Sequence, residues 1–289
     1  MRATAFCPGH LTGFFFPCEN DDPLRSGSRG AGLCVDRGAT STVTAFEGRG
    51  EVLITIDGRK SEASVTRYAV TWLLDGRPID LAIDTVMDLP ASAGFGMSAA
   101  GALSSALALA EVLELPAERA FEAAHRAELC NRTGLGDVAA LTRGGLTFRR
   151  REGLPPYGQV DQIADRLDIV AAVVGGSMRT ANVLGNEALR SRIDRAGREC
   201  YGTLDHEPTV DNFFRTSRRF TEAIGIATPG VVSALEEVDA IGQGSMIMLG
   251  NSVFATGDLD ALDRALQDHG PTYRLSLDIK GPRVLKDEP

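Results

Sequence analysis

No apolar run in these 289 residues approaches the length of a membrane span, and Pro8, Gly9 and His10 interrupt the stretch where a signal peptide would carry its apolar centre. The chain therefore reads as soluble and cytoplasmic. Its five cysteines, Cys7, Cys18, Cys34, Cys130 and Cys200, are odd in number, scattered, and contain no CxxC pair. That argues against a disulfide framework and for a reducing compartment. Cys7 and His10 form an isolated C-x-x-H, and two ligands without a second pair do not make a zinc site. Positive charge is short too: 30 Lys and Arg against 39 Asp and Glu leave a formal net charge of −9. Acidity of that size disfavours nucleic acid and anionic membranes as partners, because both are polyanions. It still leaves room for a local basic pocket.

Two familiar phosphate-binding loops are also missing. No G-x-x-x-x-G-K-[ST] occurs, which excludes a P-loop. The run Gly27-Ser-Arg-Gly-Ala-Gly32 has polar sequence before it and strand-like sequence after it, whereas a dinucleotide fingerprint needs a strand first and a helix next.

What is present is apolar material for a sizeable core, with 43% hydrophobic and 24% charged residues. A chain of this length is expected to divide into two packed domains. Residues 1–16 read as a strand running into a tight loop, and 17–32 as a long polar connection. Strand-like stretches follow at 33–35, 40–46, 51–56 and 79–87. A glycine turn at 90–97 leads into a helix from Ser98 to Leu113, and Pro116 opens a second helix reaching about Asn131. Thr133–Gly136 is a second glycine turn, followed by a short helix to Arg143 and a strand at 146–150. The charged, proline-bearing segment 149–161 marks the expected boundary, giving domains 1–155 and 156–289. Beyond it, a strand at 168–176, helices at 186–200, 211–226, 229–241 and 258–269, and strands at 252–256 and 272–279 are expected. Phe213, Phe220 and Ile224 share one helical face and read as packing residues. Interleaved strands and helices in both halves predict an α+β protein.

The most informative stretch is Pro90-Ala-Ser-Ala-Gly-Phe-Gly-Met-Ser-Ala-Ala100. Gly94 and Gly96 remove side chains where a ligand could approach the backbone, and Ser98 stands at the mouth of a helix whose free N–H groups suit an anion. The plainer alternative is an ordinary turn with Ser98 as N-cap. Glu128 alone reads as a solvated helix residue, and Asp137 alone as a helix N-cap.

Taken in order, these segments resemble the GHMP kinases. Pro90–Ala100 is similar to that family's P-x-x-x-G-L-G-S-S-A-A motif, with Phe95 for Leu and Met97 for the first Ser. Glu128-Leu-Cys-Asn-Arg-Thr-Gly-Leu-Gly-Asp137, with Ala139-Ala140 and Gly144-Gly145, resembles its E…G-x-G-x-D-x-A-A…G-G stretch. The N-terminal Pro8-Gly-His-Leu-Thr-Gly-Phe-Phe15 and the run at 27–32 look like the pantoate kinase branch of the family. Met248–Ala255 resembles the third family motif without its usual glycines. The matches extend from about residue 5 to 255.

The resemblance implies a two-domain fold: an N-terminal domain like domain 2 of ribosomal protein S5, and a C-terminal ferredoxin-like α/β sandwich. It implies ATP and Mg²⁺ as cofactors. ATP phosphates would lie against Pro90, Gly94, Phe95, Gly96, Met97, Ser98, Ala99 and Ala100, with Ser98 and Glu128 on the metal and Asp137 at the acceptor hydroxyl. Pantoate would be the acceptor, met by His10, Thr12 and Arg29, its 4-hydroxyl phosphorylated on a route to coenzyme A. Arg29 is the first choice for the substrate carboxylate, because a guanidinium grips it with two parallel hydrogen bonds; Arg143 and Arg179 are the alternatives. Mevalonate-type members carry a Lys in the first strand as partner of the catalytic Asp, and residues 2–10 here have none. His10 or Arg29 would have to supply that partner. His125, His206 and His269 read as bland. Another acceptor (mevalonate, homoserine) and a non-catalytic regulator of the same fold stay open as alternatives, and a homodimer is the default assembly.

Overall fold

In a computed structural model the described residues are 1–176 and 186–286. Arg179 lies outside them.

The chain begins with two long antiparallel strands, β1 (Arg2–Cys18) and β2 (Gly27–Glu47), paired along almost their whole length from Arg2↔Thr44 to Cys18↔Gly27. Only a short connection with a 3-10 turn at Pro23–Arg25 separates them, capped by Asp22, whose Oδ1 accepts from Leu24 N at 3.0 Å. The expected long loop over 17–32 is thus mostly strand. Its glycines are there for space: a Cβ on Gly30 would strike the Phe14 carbonyl across the ladder.

After β3 (Val52–Ile56) and β4 (Arg59–Lys60) comes α1 (Ser64–Leu74), then β5 (Ile79–Met87). Helices α2 (Met97–Val112), α3 (Ala117–Asn131) and α4 (Asp137–Leu141) lead to β6 (Leu146–Arg151) and β7 (Gln159–Ala164). These strands form a sheet ordered β12-β1-β2-β5-β3-β4, with β6 pairing the first part of β2 and β7 pairing β6. β12 (Arg283–Leu285) returns from the C-terminus to the edge of β1. Helix α2 is buried nearly all round, which is why its sequence is small and apolar on every face; it lies on β1 and β2 and packs against α1 and α3, which also pack on each other.

The chain leaves the large sheet after Ala164. It then builds β8 (Asp168–Val173), α5 (Glu187–His206), α6 (Val210–Ile224), α7 (Pro229–Asp239), β9 (Gly242–Met246), β10 (Ser252–Gly257), α8 (Leu259–Gln267) and β11 (Thr272–Ser276). Their antiparallel sheet has the order β11-β8-β10-β9. Fourth, first, third, second is the ferredoxin-like arrangement, as expected. Helices α5 and α6 also pack on β1, so the two sheets share one apolar core. Phe213, Phe220 and Ile224 are fully buried there, and the Phe220 ring lies 6.4 Å from that of Phe14 and 6.0 Å from that of Phe15. No helix among the described residues is long and apolar enough to cross a membrane.

Candidate active site

Three segments distant in sequence meet at the start of α2. Gly94 and Gly96 stand at φ 96° and 68°, values that a residue with a Cβ adopts only with strain. Gly96 occupies the N-cap position and no side chain caps the helix, so its first N–H groups face a cleft of about 310 Å³. The turn is braced from both sides. His10 N donates to Phe95 O at 3.0 Å, and Ser252 Oγ donates to Ala93 O at 2.7 Å. Gly250 packs so closely on Ala93 that a Cβ there would strike its carbonyl. The 248–255 segment therefore buttresses the glycine turn, and Met248 and Leu249 line the cleft.

Ser98 does not act as an N-cap. Its hydroxyl donates to Glu128 Oε1 at 2.7 Å, and the Thr133 hydroxyl donates to the same oxygen at 2.8 Å. Glu128 is buried near the end of α3 rather than solvated. Burial first, and the Asp137 charge second, push its carboxyl up to about 7 against the pull of the two hydroxyls.

Asp137 opens α4 without capping it; its Oδ1 lies 2.6 Å from His10 Nδ1. Burial works to raise this carboxyl, but the hydrogen bond from His10, the nearby Arg149 charge and the Thr12 hydroxyl outweigh it and hold Asp137 below the usual carboxylate range. Burial lowers His10 from the ordinary imidazole range, against the opposing pull of the Asp137 carboxylate. The glycines of the second turn permit this crowding. A Cβ on Gly134 would strike the Glu128 carboxylate and stand 3.0 Å from Asp137 Oδ2, and one on Gly136 would strike Ser28 Oγ and stand 2.7 Å from Arg149 Nε.

Arg149, on β6, is the site residue that sequence reasoning missed. It is 1% exposed, lines the cleft, and its Nε and Nη1 have no hydrogen-bond partner. The only sequence signal is an arginine at an interior strand position, next to Arg150 and Arg151, which read as an ordinary charged strand end.

Gly94, Phe95, Gly96, Met97, Ser98, Glu128, Asp137 and Thr12 all line the cleft; Pro90, Ala99 and Ala100 do not. His10 sits behind Asp137 and does not itself line the cleft. Arg29 is also elsewhere: its Nε pairs with Glu152 Oε2 at 2.6 Å on the other side of β2 from Ser28, away from the cleft. Strand alternation sends neighbouring side chains to opposite faces, and Ser28 holds the inward one. Arg143 is exposed.

A helix N-terminus, the buried Glu128 carboxylate, the half-buried Asp137 carboxylate and a buried guanidinium around one cleft define a small-molecule phosphotransferase site, and residues 64–145 match the family described as GHMP kinases N terminal domain. Within that class the chain belongs to the pantoate kinase family. It is 32% identical over 276 residues to pantoate kinase of Thermococcus kodakarensis, covering 92% of this chain and 91% of the relative. Pantoate kinase of Methanospirillum hungatei is 30% identical over 298 residues, covering 99% and 98%. A solved structure described as a phosphotransferase related to the CoA biosynthesis pathway superposes with a TM-score of 0.89 at 28% identity, covering 99% of both chains. Homoserine kinase from Cytophaga hutchinsonii shares the fold, with a TM-score of 0.72 at 17% identity over 98% of this chain and 97% of that one.

Proposed function

We propose that the protein phosphorylates the 4-hydroxyl of pantoate with ATP, a step of coenzyme A biosynthesis in the cytoplasm. The observation that carries the acceptor side is Arg149: a buried guanidinium with two unpaired N–H-bearing atoms, across Gly136 from Asp137. Unpaired donors in such a place are costly, and a substrate carboxylate would satisfy them with charge-assisted bonds. A hydroxy acid bound there presents a hydroxyl toward Asp137.

The remaining residues fit the transfer. Free N–H groups of the turn at 94–98 and of the α2 N-terminus receive the phosphates of ATP. Ser98 and Glu128 would hold Mg²⁺, and the donor set suits it. Both supply hard oxygens, burial and the Asp137 charge push the Glu128 carboxyl up so that a cation would favour its ionised form, and Mg²⁺ needs only one or two carboxylates besides phosphate and water. When bound, the ion neutralises charge developing on the transferred phosphoryl group. Asp137 orients the acceptor hydroxyl and takes its proton as transfer proceeds. Because His10 and Arg149 hold it low, it is a weak base whose contribution is mainly placement, which suits a loose transition state in which the proton departs late.

The test is ADP release from ATP and Mg²⁺ with pantoate, pantothenate, mevalonate, homoserine or no acceptor, with Asp137→Ala alongside. Turnover with pantoate alone, lost in the variant, is expected. Preference for another acceptor would sink the pantoate assignment and keep the kinase. ATP binding with no acceptor turned over would favour a regulator.

A further inference from the structure

The glycine run of β2 has no part in the transfer described above, yet one member of it touches the machinery. A Cβ on Gly32 would stand 2.5 Å from His10 Nε2 and 2.8 Å from its Cε1, so the imidazole rests directly on the Gly32 backbone. The other side of His10 is equally constrained: its N donates to Phe95 O, and a Cβ on Gly96 would stand 3.0 Å from its O. The ring is fully buried, with Nδ1 2.6 Å from Asp137 Oδ1 and Nε2 without any partner.

Two protonation patterns can be weighed on that geometry. A cationic ring would bury an Nε2–H with no acceptor, beside the buried Arg149 charge. A neutral ring protonated at Nδ1 leaves only a lone pair at Nε2 and still donates to the carboxylate. Orphaning a buried charged donor costs more than orphaning a buried lone pair, so the neutral form is favoured.

We propose that His10 is a positioning residue: a neutral Nδ1–H donor, seated on Gly32, that aims the Asp137 carboxylate at the acceptor hydroxyl and relays no proton. It takes over the hydrogen-bonding part of the missing first-strand lysine without its charge. The proton released as the acceptor O–H bond breaks goes to Asp137, and from there to water in the cleft once product leaves. The sealed Nε2 offers it no path through the protein. This inference rests on the reading that Asp137 receives that proton.

The experiment compares His10→Asn, whose amide nitrogen can stand where Nδ1 stood, with His10→Gln, whose nitrogen is displaced by one bond. Wild type and Asp137→Ala run alongside. With both histidine variants folded by thermal melting, His10→Asn is expected to keep kcat within about tenfold, the worth of one ordinary hydrogen bond. His10→Gln is expected to lose about 100-fold in kcat, the cost of an ångström-scale misplacement, with the KM for ATP unchanged in both. Nitrogen-15 long-range spectra of labelled wild-type protein supply an activity-independent readout: at neutral pH the His10 ring is expected to be neutral with its proton on Nδ1. Equal losses in the two folded variants, or a cationic or Nε2-protonated ring, would overturn the inference. If neither variant folds, the spectra decide it alone. Turnover surviving in Asp137→Ala would instead overturn the reading of the site on which the inference rests.

Discussion

At Gly94 and Gly96 glycine supplies conformation: φ of 96° and 68° lets the chain turn sharply into α2 and present the helix N–H groups to the cleft. At Gly32, inside β2, glycine supplies space for the His10 ring, and at Gly30 it supplies both, room for the Phe14 carbonyl and a φ of 145°. The two runs look alike in composition, yet one lines the cleft and the other lies inside the sheet. Glycine content alone thus says that something comes close to the backbone. What comes close is decided by a neighbour distant in sequence, such as the Phe14 carbonyl or the His10 ring.

The largest effect that would sharpen this contrast is expected between the two runs, at the acceptor end of the cleft. Arg149→Ala should lower kcat/KM for pantoate by about 1,000-fold, the scale of removing a partner from a buried charged pair, with the KM for ATP little changed. Next, Gly32→Ala should act on the chemical step: kcat falls by about 100-fold because the His10 ring loses its seat, while the KM for ATP holds. Gly96→Ala should do the reverse, raising the KM for ATP by about tenfold through strain in the turn, with a smaller fall in kcat. Steady-state kinetics on both substrates separates the three, and an exchange of the Gly32 and Gly96 effects would break the comparison.

The smallest effect concerns stability without ligand. Glu128 has its folded-state carboxyl raised from the ordinary 4.5 to about 7, so the folded protein holds that proton more tightly than the unfolded chain does. Its contribution is fully present below the ordinary value and is lost as pH rises through about 7, a change of about 3 kcal/mol. Metal-free wild type should therefore lose stability relative to Glu128→Gln as pH rises across that range, measured by thermal melting at several pH values. A gap between the two proteins that is flat with pH would contradict it.

Much of the candidate site was legible because its residues lie in short ordered motifs: Gly94–Ser98, Glu128 and Asp137 all fall in the two strongest matches. Three features were not legible, each for a physical reason. Arg149 matters because Gly136 and Asp137 bring a cleft to its guanidinium, a relation that spacing along β6 cannot express. The 27–32 run reads as loop by composition, and only its pairing with β1 makes it strand. Helix α1 lacks a start signal: Ala63 stands at the N-cap with φ 37° and makes no capping bond, and Val65, Thr66, Val70 and Thr71 are β-branched, so packing on α2 and α3 decides its form. Long elements with capping side chains, such as α6 behind Thr209 and α8 behind Asp258, were placed within two residues.

The most direct test of the central claim is the identity of the product. Wild-type protein is incubated with pantoate, ATP and Mg²⁺, and the product is read by phosphorus–proton correlation NMR. The account predicts a new phosphate ester coupled to the two protons on C4 of pantoate. An ester on the C2 hydroxyl, or ATP consumed with no ester formed, would contradict it.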